Sequence, residues 1–124
     1  MSQPTLPKFG GYDHAVVVPP GIGDKQDLLT VLAKRLQLPE HFGHNWDALA
    51  DCLSDLSWLP EGNIYLIHED LPLAGDRDAA ATYVDVLLDA QEDWQREGKA
   101  RLTPVFPRRY RELVLALGRR ASRE

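Results

Sequence analysis

Three aspartates recur at every fourth position in the stretch Asn45-Trp46-Asp47-Ala48-Leu49-Ala50-Asp51-Cys52-Leu53-Ser54-Asp55-Leu56. Wound as a helix at about 100° per residue, Asp47, Asp51 and Asp55 fall within about 80° of one another. Leu49, Cys52, Leu53 and Leu56 gather on the opposite side. One face is a row of carboxylates and the other is core. The plain account of such a row is a solvated face, and an early Asp also suits the positive end of a helix. Yet neighbouring carboxylates repel by about 0.2–0.5 kcal/mol per i,i+4 pair. No lysine or arginine lies between Arg35 and Arg77 to offset this. A helix that needs only solubility usually mixes signs. The row is therefore suited to an external cation, and a protein supplying Arg and Lys is the natural source.

Two other chemistries use the same stretch. Asp47 and Asp51 could form a general acid–base pair, but that requires a cleft to separate their pKa values. Neighbouring positions on an exposed helix do not make one. His41, His44 and Asp47, spaced i, i+3, i+6, form a candidate metal group for a small hydrolase. Gly43 interrupts a regular helix there, and the sole cysteine, Cys52, sits on the apolar side, so a closed four-ligand zinc site lacks its parts. The chain has no Gly-rich phosphate loop, Ser-centred nucleophile elbow or HExxH motif. A binding protein is expected rather than an enzyme, with no cofactor and no metal.

Composition bounds the partner. The chain has 124 residues, enough for one core and too few for two. A hydrophobic fraction of 44% and a charged fraction of 27% exclude wholesale disorder. No apolar run approaches the roughly 20 residues of a membrane span, so no membrane association is expected. The single cysteine cannot close an intrachain disulfide, and residues 1–11 lack the apolar stretch of a secretory signal. Both point to the cytoplasm. The net charge of −5 is unevenly spread. Residues 1–106 carry eight basic against seventeen acidic side chains, a net −9, whereas residues 107–124 carry six against two, a net +4. An acidic body repels nucleic acid and attracts basic surfaces, so the domain is not expected to bind nucleic acid directly.

The elements that must position the row follow from periodicity. Residues 1–12 are rich in Pro and Gly and read as a flexible arm. Ala15-Val16-Val17-Val18 is a buried strand stopped by Pro19-Pro20. Asp24 or Asp27 caps a helix carrying Leu28, Leu29, Val31, Leu32 and Leu36, which Pro39 ends. The aspartate helix starts near Asn45 or Trp46 and runs to about Ser57. Ile64-Tyr65-Leu66-Ile67 is a second strand. A long helix over about 79–97 has Tyr83, Val84, Leu87, Leu88 and Trp94 on its apolar side and Gly98 as its stop. Residues 101–106 form a third strand, shortened by Pro104. Strands alternating with helices predict a parallel sheet with right-handed crossovers, and strand order 1-2-3 places the helices on one face. The result is a two-layer α/β domain over residues 13–106. Residues 107–124 are a basic C-terminal extension. It either forms one more helix through Tyr110, Leu113, Val114 and Leu117, stays loose, or folds back on the acidic body; its removal is expected to leave the rest folded.

The segment Leu38-Pro39-Glu40-His41-Phe42-Gly43-His44-Asn45-Trp46-Asp47-Ala48-Leu49-Ala50-Asp51-Cys52-Leu53 resembles the signature of the barstar family, the intracellular inhibitors of barnase-type ribonucleases. The resemblance covers about residues 13–106. It implies a barstar-like two-layer fold with a three-stranded parallel sheet packed against helices. It further implies a protein that plugs a basic nuclease active site with the motif helix and the loop before it. Asp51 would then be the main mimic of substrate phosphate, with Asp47 and Asn45 in support. His41 stands where the family has a tyrosine that covers the nuclease's catalytic histidine. Asp89 or Asp93 would match a late acidic contact on the long helix. His44, Ala50 and Asp55 complete the candidate contact set. Ala50 replaces a bulky aromatic, while Phe42, Trp46 and the added Asp55 also depart from the family pattern, which bears on the identity of the target. The implied partner is a barnase-type ribonuclease or another basic nuclease toxin, met by a monomeric inhibitor or antitoxin. A drifted binding module for a different basic protein is the second reading, and the small metal-dependent hydrolase is the third.

Overall fold

The computed structural model describes residues 13–40 and 42–122, with backbone alone for 119–122. Three short strands, β1 (His14–Val18), β2 (Ile64–His68) and β3 (Leu102–Val105), form a parallel sheet in the order β1-β2-β3. Register runs from His14 opposite Ile64 and from Ile64 opposite Leu102. Alternation decides the faces. His14, Val16, Val18, Ile64, Leu66, His68 and Leu102 are buried, while Val17 and Val105 are exposed. Pro104 fits because β3 is an edge strand, where a missing N–H breaks no inner ladder.

Helices α1 (Lys25–Arg35), α2 (Trp46–Asp55) and α3 (Arg77–Arg96) fill the two crossovers. The predicted α/β architecture and strand order are those observed. Helix starts are set by side-chain caps. Asp24 accepts from the Asp27 amide at 2.8 Å, and Asp76 accepts from the Ala79 amide at 3.2 Å. The second cap starts α3 two residues earlier than periodicity alone predicts, because Asp76 and not an apolar residue marks the boundary. Gly98, with φ +74°, takes the left-handed position just beyond the end of α3. Leu28, Leu29, Leu32, Leu36, Leu49, Leu53, Tyr83, Val84 and Leu87 meet in one core.

A polar pin crosses that core. His68 is 2% exposed and stacks on Phe106 with ring centroids 4.2 Å apart. Its Nδ1 donates to the Val105 carbonyl at 2.9 Å, and its Nε2 accepts from the Tyr83 hydroxyl at 2.6 Å. The carbonyl can only accept, which fixes the tautomer. Burial lowers the His68 pKa from 6.5 to about 4 and pushes the Tyr83 phenol up. Both groups therefore stay neutral, joining β2 to β3 and α3.

The C-terminal extension is docked on the body. A short 3-10 turn (Arg108–Tyr110) leads into α4 (Arg111–Ser122), which packs on α3. Val114 and Leu117 are buried in the common core, and Gly118 sits against Leu88 and Val84. A hydrogen bond from Tyr110 is the chief cause that lowers the Asp70 pKa, and Arg109 lies 3.8 Å from the same carboxylate. Of the alternatives for the extension, the packed helix is the one observed: the i,i+3,i+4 spacing is that of a core face, not of a loose end. Residues 1–12, expected as an arm, lie outside the described residues.

Two outcomes follow. Truncation after Phe106 should lower stability by about 3–5 kcal/mol in urea denaturation, the burial of two large aliphatic side chains. Above pH 6.5 the His68 imidazole is neutral in both folded and unfolded chains. Below that, the unfolded chain takes up a proton that the folded one refuses until near pH 4, so stability should fall by about 3 kcal/mol across this window. An NMR titration of the His68 ring should give a midpoint near 4; a midpoint near 6.5 would remove this contribution.

Candidate functional site: the carboxylate face of α2

Residues with unusual backbone angles bracket α2. His44 at φ +50° precedes it and Leu56 at φ +51° ends it, both in the left-handed region that costs a side-chain-bearing residue about 1–2 kcal/mol. Their neighbours hold them there. The His44 Nδ1 donates to the Phe42 carbonyl at 3.1 Å, and its ring lies 4.7 Å from the buried Phe42 ring. Asn45 Oδ1 accepts from the Ala48 amide at 2.7 Å, capping the helix, while its Nδ2 donates to the Gly43 carbonyl at 3.3 Å. A β-carbon on Gly43 would lie 3.1 Å from that same Nδ2, so the close turn favours glycine.

Between these ends the helix divides as the wheel predicts. Leu49 and Leu53 are fully buried, while Asp47, Asp51 and Asp55 are exposed. None of the three forms an ion pair with any described residue. Ala50 and Cys52 are half-buried at the seams. Burial, then Asp51 and Asp55, push the Cys52 thiol up, which disfavours the thiolate. The helix is fixed to its neighbours by indoles. Trp94 Nε1 on α3 donates to the Leu53 carbonyl at 2.9 Å. Trp46 is half-buried, with its ring centroid 6.2 Å from that of Tyr83 and the Lys25 ammonium 5.3 Å away. Trp58 Nε1 reaches back to the Leu36 carbonyl at 3.0 Å.

α3 packs on α2 and brings a second set of acids. Asp89 is exposed and forms no ion pair among the described residues, whereas Asp93 is paired with Arg96 at 2.9 Å, as is Glu92. Asp85, missed in the sequence reading, belongs to the same i,i+4 series as Asp89 and Asp93. Burial and then Asp89 raise its carboxyl pKa. The i,i+4 spacing of Asp85, Asp89 and Asp93 is the signal in the sequence that marks it. Arg101 was also missed. It is half-buried, and its hydrogen bonds among the described residues all go to backbone carbonyls, a role that no sequence spacing announces. His41 of the candidate metal group lies outside the described residues. Among the described residues no group of three or more His, Cys, Asp or Glu could hold a metal. No described helix is long and apolar enough to cross a membrane.

The arrangement can present fixed negative charge to a cationic surface. Residues 14–103 match the family described as Barstar (barnase inhibitor). No curated protein matches the chain.

Asn45→Ala should cost about 1 kcal/mol of stability through loss of the cap. Thermal or urea denaturation checks this, and an unchanged midpoint would mean that the cap contributes nothing.

Proposed function

The chain belongs to the Barstar family, and from that premise we propose that it is a proteinaceous inhibitor that blocks the basic active site of a barnase-type ribonuclease. It acts by binding, without catalysis and without a cofactor. The observation that carries this reading is the row of Asp47, Asp51 and Asp55, unpaired among the described residues, on a helix fixed from behind. A ribonuclease site holds Arg, Lys and His to grip phosphate. A preset row of carboxylates meets those cations without having to order itself first, and its field draws the partner in. Asp51, in the middle of the row, takes the place of a substrate phosphate. Asp47 and Asp55 flank it, and His41, His44, Asn45 and Ala50 complete the contact surface. Asp89 or Asp93 on α3 supplies a further acidic contact. The protein works as a cytoplasmic monomer that protects its cell from a nuclease toxin, as an antitoxin does.

Purified protein should inhibit a barnase-type ribonuclease at near one-to-one ratio. Raising the salt should slow association, since the screening length is only about 8–10 Å at 0.10–0.15 M. Inhibition of none in a panel would point instead to another basic protein as partner. Asp51→Ala separates binding from stability. It removes two repulsive i,i+4 contacts, so the free protein should be as stable as wild type or more so, by at most about 1 kcal/mol. It should nevertheless inhibit about thirtyfold less well or worse, the loss of a central contact residue. Leu53→Ala is the contrast, losing about 2–5 kcal/mol through a core cavity. An Asp51→Ala protein that unfolds more easily but inhibits normally would remove Asp51 from the contact surface.

A further inference from the structure

Four backbone carbonyls converge on one guanidinium where α2 ends. Arg101 Nη2 donates to Leu56 at 2.6 Å and to Leu59 at 3.3 Å, and Nη1 donates to Pro60 and to Gly62 at 2.7 Å each. Arg101 enters β3, so one side chain ties the start of the last strand to the whole connection between α2 and β2. The last carbonyls of a helix have no partner within it. In this protein no glycine relieves the end. Leu56 turns the chain at φ +51°, its side chain fully buried and its carbonyl held by Arg101. Asp55, the last member of the carboxylate row, immediately precedes that turn. Both Asp55 and Arg101 line an open cleft of about 510 Å³, whose walls also include Glu61, Trp94 and Lys99. The row therefore runs into a cleft whose wall is shaped by Arg101.

We propose that Arg101 is a positioning residue of the partner-binding face. It fixes the turn at Leu56, and through that turn it sets Asp55 at the mouth of the cleft, where a cationic side chain of the partner meets it. This rests on the reading of the α2 row as the contact surface. Only arginine suits the task. Its planar fork presents separate nitrogens to separate pairs of carbonyls, whereas the compact ammonium of lysine cannot span four acceptors. Both carry one positive charge, so Arg101→Lys leaves the field of the protein almost unchanged while loosening the turn.

The experiment is a cycle of Arg101→Lys and Asp55→Ala, read by surface-bound kinetics with a barnase-type ribonuclease as the probe. Arg101→Lys should leave the association rate and its salt dependence as in wild type. It should speed dissociation about tenfold, the weight of one charged contact. In the Asp55→Ala background the same change should have little further effect, because Arg101 acts through Asp55. A merely structural arginine would lower the melting temperature and leave dissociation the same, or would add to Asp55→Ala in full; either result overturns the role. Hydrogen exchange on the free protein gives a second readout. Amides 55–62 should exchange faster in Arg101→Lys while those of 47–51 stay protected, and equal protection throughout would also overturn it. Arg101→Gln, which keeps two donors but drops the charge, serves for the dissociation rate alone if the lysine variant does not fold. If the wild-type chain binds no such nuclease, the contact-surface reading falls and this role with it. Binding by wild type with additive variants overturns the role alone.

Discussion

The carboxylate row depends on what is buried behind it. A ten-residue helix with like charges in i,i+4 succession would not persist alone, because short helices are marginal in water even without repulsion. α2 persists because Leu49, Leu53 and Leu56 are fully buried and because the Trp94 indole grips the Leu53 carbonyl. Burying three leucine side chains contributes several kcal/mol, at about 1.5–3 kcal/mol each. Repulsion along the row subtracts less than about 1 kcal/mol. The core term wins by a wide margin, so the exposed side of α2 is free to carry whatever charge a partner requires.

That margin also explains the ends of the helix. Both His44 and Leu56 adopt left-handed backbone that glycine would take with less strain. A glycine at either place would leave the flanking loop loose. Here Phe42 and the His44 ring hold the entry, and Arg101 holds the exit. Strain kept in place by surrounding contacts gives a rigid rim to the charged face. Rigidity matters for a charged contact surface, since each side chain ordered only on binding subtracts from affinity.

Much of this was legible in the sequence, and the reason is the pattern of apolar residues. Short continuous runs of β-branched and other apolar residues announce buried strands, and apolar residues at three- and four-residue spacing announce helices with one buried face. Ile64 to Ile67 and the leucines of α1 were read correctly on that ground, and so was the division of α2 into acidic and apolar sides. The boundary of α3 was misplaced because a cap is a single polar residue, Asp76, with no periodic signal of its own. Arg101 and His68 escaped for a different reason. Their partners, Leu56 to Gly62 for one and Val105 and Tyr83 for the other, are set by tertiary packing. A half-buried arginine has the same letter as a solvated one. The burial of Val114 and Leu117 was ambiguous because a packed amphipathic helix and a loose basic tail share one pattern until a receiving face is known. Val84 and Leu88 on α3 are that face.

The docked tail bears on how the charge is deployed. A segment of net +4 on a body of net −9 could have neutralised the row that a partner needs. Its described contacts lie elsewhere. Arg109 reaches Asp70 and the Glu69 carbonyl, beyond the end of β2, and its guanidinium lies 4.9 Å from the Tyr110 ring. Apolar burial against α3, not attraction to acids, decides where α4 lies, because exposed ion pairs contribute little while buried Val114 and Leu117 contribute a few kcal/mol. The same hierarchy that fixes α2 from behind thus fixes α4 as well. Packing places both helices, and charge is left to act outward.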